Sequence, residues 1–458
     1  MNITQPLDSP TLSQAFNRQA MTYVFAVVGL IWYCFMCAIS ILGLVAARRR
    51  YRSCPASPRR TADSAPGVSI LRPLKGLDTN LYENLESTFK QEYPNYEIIF
   101  SVADENDQAL TVVRALKSKY PDVKASVIIG EEVVGVNPKV NNLMRPVRAA
   151  ANDILWVIDS GVIVDPGTLA RSVDVLTGLP TSRSNKTISL VHHVPFALID
   201  EDKIGSRLEA AFLNTNHAKM YIAINTVGVE SCVVGKSNLY RRSDLERVNG
   251  SLIPVRSQIA STHEPVVYGL AAFGKFLAED NMIASALWHE LGLRHDLSSD
   301  VACNVVGNMS FLDYVWRRMR WIRVRKRMVL AATLAEPFTE SLVVCVLGSL
   351  SCRTIFGFPP WIFALLHYTL WLSIDLDVYT SIGGNKINSQ GMFGFILAWV
   401  GREVLALPIY LFAIFGDEII WRGQRYQVLH NGEARLCTDQ KGSRPWFSFR
   451  RIGQYHQI

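Results

Sequence analysis

Met21 to Ala47 carries no charged residue, and about 20 apolar residues suffice to span a bilayer. The run is too long for a signal-peptide core and lacks a small-residue cleavage site, so it reads as an uncleaved anchor. From Gly67 the pattern changes to short apolar runs alternating with segments that are apolar on one face. Val68–Leu71, Glu97–Val102, Ala125–Ile129, Ile154–Ile158 and Ile188–Val191 are predicted strands. Leu81, Leu85 and Phe89 recur at helical spacing, and Gln108–Lys119 and Val140–Ala150 are further predicted helices. This alternation predicts an α/β sheet, largely parallel, that takes ligands at the carboxyl ends of its strands. After Trp321 the chain turns apolar again, with predicted membrane segments at Leu330–Leu350, Ile355–Ile374 and Met392–Phe415. Glu336 and Glu340 interrupt the first and Arg402-Glu403 the last. Charge at such positions is costly in lipid and usually faces protein or water.

Composition changes this picture little, but the placement of charge changes it a good deal. The net charge of +7 over 458 residues is moderate, and the positives cluster beside apolar runs. Arg48-Arg49-Arg50 and Arg52 follow the anchor, and seven basic residues crowd Arg317 to Arg327. That placement suits anionic headgroups or diphosphates and points away from nucleic acid. The first cluster puts the carboxyl end of the anchor in the cytoplasm, which would leave the Asn185 sequon silent. Three later crossings would carry the basic tail (Arg422, Arg425, Arg435, Arg444, Arg450, Arg451) into the lumen. The positive-inside bias prefers an even number, with one segment re-entrant or interfacial, and the parity stays open. Scattered cysteines without a paired CxxC pattern point to a reducing compartment for the globular part. The expected division is a short lumenal N-terminus (1–20), the anchor (21–47), a basic, Pro-containing linker (48–66), a catalytic domain (67–310), a basic interfacial helix (311–329), membrane segments (330–416) and a basic tail (417–458).

Three isolated acids, Asp104, Asp159 and Asp280, precede Arg317-Arg318-Met319-Arg320-Trp321. Asp104 and Asp159 fall at predicted strand ends. Taken singly, each is better explained by helix capping or a chain turn. The strand Ile154–Ile158, however, delivers Asp159-Ser160-Gly161 to a tight turn, where a carboxylate suits a hard divalent cation that also binds phosphate oxygens. Gly161 stands where a second carboxylate would be, so coordination by protein is thin. Asn137-Pro138-Lys139 opens a helix, so that Lys139 and the free N–H groups of the first turn can meet a phosphate. A solvated lysine is the alternative, and Lys75 has the same two readings. Glu279 or Asp280 could cap the following helix. An alcohol acceptor also needs a base, and beside the other motifs Asp280 is the leading one. Phe311 to Leu330 reads as a basic amphipathic surface helix with Phe311, Val315, Met319 and Ile322 along one side. Its guanidinium groups match phosphate oxygens bidentately, while Trp321 shapes a pocket or packs the helix. His192-His193, His217 and Cys232 read more simply as structural groups. Together these residues predict a sugar-nucleotide site beside a membrane, with a lipid acceptor.

Gly67-Val68-Ser69-Ile70-Leu71-Arg72-Pro73-Leu74-Lys75-Gly76, Asn137-Pro138-Lys139 with Asn141-Asn142-Leu143-Met144, Val191-His192, Asp159-Ser160-Gly161 and Ala278-Glu279-Asp280 resemble the ceramide glucosyltransferases, glycosyltransferase family 21. Arg317-x-x-Arg320-Trp321 completes that family's D, D, D, (Q/R)xxRW signature, and the likeness runs from the anchor to Tyr426. The resemblance implies an α/β GT-A (Rossmann-like) cytosolic catalytic domain with N- and C-terminal transmembrane helices in a multi-pass Golgi membrane protein, with the ER as the alternative. It implies inverting transfer of glucose from UDP-glucose to ceramide drawn from the cytosolic leaflet, the first step of glycosphingolipid synthesis, with Mg²⁺ or Mn²⁺. A homo-oligomer stays open.

Carried over residue by residue, Asp104, with Lys75 and Lys139, serves UDP-sugar binding, Asp159 the diphosphate and metal, and Asp280 is the base. Arg317, Arg320 and Trp321 serve the leaving diphosphate and the acceptor site. His192 and Cys232 are substrate-proximal, Cys232 at a position associated with thiol sensitivity. His193 departs from the glycine usual there, which implies an altered local turn. A Ser/Thr-rich insertion at Thr181–Thr187 lies in a predicted loop. The rival readings are a processive polysaccharide synthase of the chitin or hyaluronan type, which would need more membrane helices, and a non-catalytic sphingolipid sensor.

Overall fold

A computed structural model describes residues 12–53, 55–58, 60–178, 187–200, 203–257, 266–384, 391–421, 424–429 and 431–437. The Asn185 sequon, residues 181–186 of the insertion, Arg422 and the arginines at 444, 450 and 451 lie outside the described residues. The first helix, α1 (Leu12–Tyr51), extends past the predicted anchor at both ends. Beyond it the chain alternates as expected: β1 (Val68–Pro73), α2 (Leu81–Phe89), β2 (Tyr96–Val102), α3 (Ala109–Lys119), β3 (Ala125–Ile129), α4 (Pro138–Ala149) and β4 (Ile154–Ile158). β1 and β4 are wholly or almost wholly buried apolar runs, the pattern of strands covered on both faces. One layer packs α2, α3 and α5 (Thr168–Thr177) beneath the sheet. The other packs α4 and, further on, α9 (Glu279–His289) above it.

The sheet is mixed, which corrects the expectation of a largely parallel one. β5 (Val162–Ile163), β6 (Ile188–Ile199), β7 (Ser237–Arg241) and β8 (Arg294–Val306) complete the order β3-β2-β1-β4-β7-β6-β8-β5. β1 to β4 are mutually parallel, β7 is antiparallel to both β4 and β6, and β5 is antiparallel to β8. β7 was hidden because Ser237-Asn238 opens it with polar residues. Since it enters from the edge where β4 leaves, Ser237 pairs with Ile158, and the residues just before β7 meet those just after β4. β6 is much longer than predicted and carries register shifts against β8. His193 therefore lies in a buried strand and makes no turn. Its imidazole meets Ser172 Oγ and the Ser237 carbonyl, both at 3.0 Å.

Between β6 and β7, α6 (Ile204–Phe212) and α7 (Ala218–Val227) flank a π-helical turn at Leu213–His217. This buried unit is the seat of the membrane-type helices. α7 packs along α1, where a side chain on Gly43 would overlap the Lys219 carbonyl. After the short α8 (Arg242–Leu245) and α9, the basic helix α10 (Phe311–Met328) buries Tyr314, Arg317, Arg318, Met319 and Ile322. Of the predicted apolar side, Met319 and Ile322 are buried and Val315 packs against them, while Phe311 is exposed.

The first C-terminal segment is broken. α11 (Leu330–Ala335) and a 3₁₀ turn at Glu336–Thr339 meet α12 (Ser341–Phe356) at a 64° bend. α13 (Pro360–Gly383) returns alongside α12 and α1, and α14 (Met392–Ile414) follows. α1, α13 and α14 are each long and apolar enough to cross a membrane. α14, however, packs along α6 and α10 from end to end. Gly401 lies against Leu208, Ile409 and Tyr410 cluster with Tyr314 and Ile322, and Lys326 Nζ donates to the Ile414 carbonyl at 2.9 Å. The small sheet β9 (Glu418–Trp421), β10 (Gln424–Val428) and β11 (Ala434–Leu436) then docks on the catalytic domain. Ala434 N–H donates to the Lys275 carbonyl at 2.8 Å, and Lys275 pairs with Glu433 at 2.9 Å.

The charges within the apolar C-terminal segments face protein. Arg402 pairs with Glu340 at 2.6 Å and with Glu403 at 2.5 Å. Lys219 of α7 pairs with Asp375 of α13 at 2.7 Å, both side chains fully enclosed. Trp399 Nε1 of α14 donates to the other Asp375 oxygen at 2.8 Å.

Candidate active site

The carboxyl ends of β1, β2 and β4 lie side by side and place Lys75, Asp104 and Asp159 on one edge of the sheet. Lys75 is exposed, and the next residue, Gly76, donates its N–H to Asp107 Oδ1 at 2.9 Å. Asp104 is exposed as well, and its Oδ1 accepts the Asn106 N–H at 2.8 Å. The loops after β1 and β2 are thereby tied together, with both named side chains facing outward.

Asp159 stands in a denser setting. Its Oδ1 meets Lys139 Nζ at 2.8 Å and its Oδ2 meets Lys236 Nζ at 3.3 Å. Burial opposes its charge, but the two ammonium groups outweigh burial and hold its pKa below the usual carboxylate range. Beneath the turn, the buried Arg72 guanidinium donates to the carbonyls of Ser160 (3.3 Å) and Val162 (3.2 Å), fixing the chain that presents Asp159.

Asn137 caps α4, its side chain accepting the N–H groups of Lys139 (2.9 Å) and Val140 (3.3 Å). Those first-turn donors are therefore already satisfied, which corrects the reading that left them free for a phosphate. The Lys139 side chain turns inward, bridging Asp159 and Glu279 Oε1 (3.0 Å) and donating to the Gly235 carbonyl at 3.2 Å. Burial works against this ammonium, but Asp159, Glu279 and Asp280 together keep its pKa above that of an ordinary lysine. Asn137 Nδ2 donates to Glu279 Oε2 at 2.8 Å, so Glu279 joins the α4 motif to α9.

Asp280 does not cap α9; Ala278 holds that position and no side-chain cap bond forms. Burial, with the Glu279 charge added and Lys139 opposing, pushes its carboxyl up to about 7. That value suits a group that must accept a proton near neutrality. Facing it is Gly235, where a Cβ would overlap the carboxylate. Ala at Gly235 should therefore displace Asp280 and lower kcat/KM about 100-fold, because a catalytic group misplaced by about 1 Å loses that much. The check is steady-state kinetics beside a melting curve, with Tm expected to stay near that of the unmodified protein.

The segment 232–236 is strapped in place. Val234 N–H donates to Tyr221 Oη at 3.0 Å, and that hydroxyl shares a 2.5 Å hydrogen bond with His192 Nδ1. Cys232 N–H donates to His295 Nε2 at 3.3 Å, and Asn281 Nδ2 to the Val233 carbonyl at 3.3 Å. His192 is enclosed. Burial, with repulsion from His295 and His193, drives its pKa well down, so it is a neutral strut at neutral pH. Burial pushes the Cys232 thiol up to about 11, which makes it a weak nucleophile at neutral pH.

Arg317 donates Nε to Glu209 Oε1 at 2.7 Å, both buried, and its charge helps depress the pKa of Lys236. Trp321 lies edge-on to His217 at 6.1 Å, and Arg317 lies over its indole at 5.3 Å. Arg320 is half-buried on α10. The structure gathers Lys139, Asp159, Asp280 and Arg317, with Lys75 and Asp104 at the rim of the same edge. Lys236, Tyr221 and Glu209 were missed by sequence reasoning, and Glu279 was weighed only as a cap. Gly235-Lys236 before a polar-faced strand was the one available signal.

The sequence profile of Glycosyl transferase family 21 matches residues 22–263 and 266–434. A ceramide glucosyltransferase of Komagataella phaffii is 35% identical, over 93% of this chain and 94% of its own length. That of Candida albicans is 32% identical over 79% and 86%, and ceramide glucosyltransferase 1 of Caenorhabditis elegans 29% over 82% and 74%. Among solved structures, a Pyrobaculum calidifontis mannosyltransferase with GDP-Man and Mn²⁺ covers 83% of this chain and 99% of its own, at 16% identity and a TM-score of 0.44. With the family profile matched over most of its length, the chain belongs to glycosyl transferase family 21.

Proposed function

We propose that this protein transfers glucose from UDP-glucose to the primary hydroxyl of ceramide with inversion, releasing β-glucosylceramide and UDP. The relatives named ceramide glucosyltransferase match over most of the chain. The structural observation that carries the mechanism is the meeting of Asp280, Lys139, Asp159 and Glu279 in one cluster. The strand order β3-β2-β1-β4, with ligand residues at the carboxyl ends, supports a nucleotide-binding GT-A type domain.

Asp280 takes the proton from ceramide's hydroxyl as that oxygen attacks the anomeric carbon. Lys139 and Arg317 face the diphosphate and disperse the charge that builds on departing UDP. Asp104 and Lys75 serve the nucleotide at the rim. Arg320 and Trp321 border the acceptor, and His192 holds the strap that positions Gly235 beside the base. Asp159 is the residue that would hold Mg²⁺ or Mn²⁺, which would supply further neutralisation of the diphosphate. Both its oxygens are paired with lysine, and no group of three or more His, Cys, Asp or Glu side chains among the described residues could hold a metal ion. Asp159 would therefore be a lone protein ligand, and an ion there would draw its other ligands from the nucleotide's phosphates and water.

We also infer that α1 and the α12–α13 hairpin cross the membrane while α14 lies along its surface. The packing of α14 on α6 and α10 and the docking of β9–β11 on the domain support this arrangement. It keeps the described tail on the catalytic side and gives the even number of crossings after α1 that positive charge prefers. A cytosolic catalytic face, with ceramide delivered from the adjoining leaflet, follows from the placement of Arg48 to Arg52, while residence in Golgi membranes, with the ER as the alternative, rests on the family resemblance. Purified protein given ceramide and a panel of UDP-sugars tests the activity. Glucosyl transfer with matching UDP release is expected, and a polymer product or UDP release independent of ceramide would overturn it.

A further inference from the structure

Lys236 is a cation with less compensation than its neighbours. Its ammonium pairs with Asp159 Oδ2 at 3.3 Å, but the same carboxylate is held more closely by Lys139 at 2.8 Å. Lys139 has Glu279 as a second partner, and Arg317 has Glu209. Lys236 thus shares one negative charge with another lysine. Position agrees with charge. Asp159 N–H donates to the Lys236 carbonyl at 3.1 Å, and the side chain keeps 21% of its surface accessible, so it remains within reach of a ligand at the β4 edge.

We propose that Lys236 is a further substrate-contacting residue that binds the diphosphate of the nucleotide sugar, and of UDP after transfer, between Asp159 and Arg317. A diphosphate would give Lys236, which shares Asp159 with Lys139, an anionic partner of its own through charge-assisted hydrogen bonds. This rests on the reading of the site as a UDP-glucose site. Nothing in the family signature carries Lys236; the register of β7 against β4 brings it there.

The test uses the full chain in lipid nanodiscs, with calorimetric titration of UDP, uridine and GDP into the unmodified protein, Lys236→Met and Lys236→Arg. Lys236→Met should weaken UDP about tenfold or more, the scale of one lost charge-assisted hydrogen bond, and leave uridine binding unchanged. Lys236→Arg should stay within about threefold of the unmodified protein, because it keeps the charge. Lys139 still neutralises Asp159 in both variants, and unchanged melting curves confirm folding. Unchanged UDP affinity in Lys236→Met, or an equal loss for UDP and uridine, overturns the role of Lys236. Unmodified protein that prefers GDP to UDP overturns instead the site reading on which it rests.

Discussion

Asparagine in place of Asp280 is expected to lower turnover by about 10²–10⁴-fold, the contribution of a positioned general base, while UDP binding stays within a few-fold of normal. The substitution keeps the shape of the side chain and removes only its ability to accept the acceptor's proton. The pH profile gives the same test a sign. The Asp280 carboxyl is raised to about 7 by burial and by Glu279, so the group is protonated and inactive below that pH and becomes a carboxylate above it. In the unmodified protein kcat/KM should climb as pH rises through about 7; in Asp280→Asn the residual rate should lose that limb. An unchanged limb in the variant would assign the titration to another group.

Methionine in place of Lys219 is expected to destabilise the protein by about 3–5 kcal/mol, because it leaves Asp375 charged and enclosed without its partner. Lys219 Nζ also lies over the Trp371 ring at 4.2 Å, and the Trp399 indole N–H holds the far oxygen of Asp375. One buried pair therefore joins α7 of the catalytic domain to α13 and α14. Lys219→Met with Asp375→Leu should recover part of the loss, since a buried pair exchanged for apolar groups is often neutral; the orphaned Trp399 N–H would keep about 1–3 kcal/mol of it. Unfolding in mixed micelles, with donor-site occupancy followed by UDP binding, measures both variants. Equal stability of the single and double variants would contradict a charged pair.

How far the sequence reached depended on the length scale of each signal. β1, β2 and β4 were legible because strands buried on both faces are largely continuous apolar runs bounded by polar turns, and β3, a half-exposed edge strand, by its Val-Ile-Ile run. The positions of Asp104 and Asp159 followed directly. β7 was not legible, because SNLYR has no such run, and its antiparallel insertion decides what lies beside Asp159. Lys236 and Gly235 were hidden with it. The inward turn of Lys139 was equally out of reach, since the sequence shows a helix start but not that Asn137 satisfies its donors. Apolar composition marked α14 as a span. Its packing shows what that apolar helix buries: one side meets α6 and α10, with Arg402 turned toward Glu340 and Phe212, while Phe395, Ala398 and Trp399 cluster with Val344 and Trp371. Periodicity reports what a segment buries, not which partner buries it.

The central claim is inverting transfer of a single glucose to ceramide. The most direct measurement is proton NMR of the lipid made by purified protein from UDP-glucose and ceramide, read at the anomeric proton and paired with product mass. One hexose per ceramide with the large vicinal coupling of a β-glucoside is the predicted result. An α-linked product, a chain of several sugars, or no glycolipid from protein that binds UDP would contradict it.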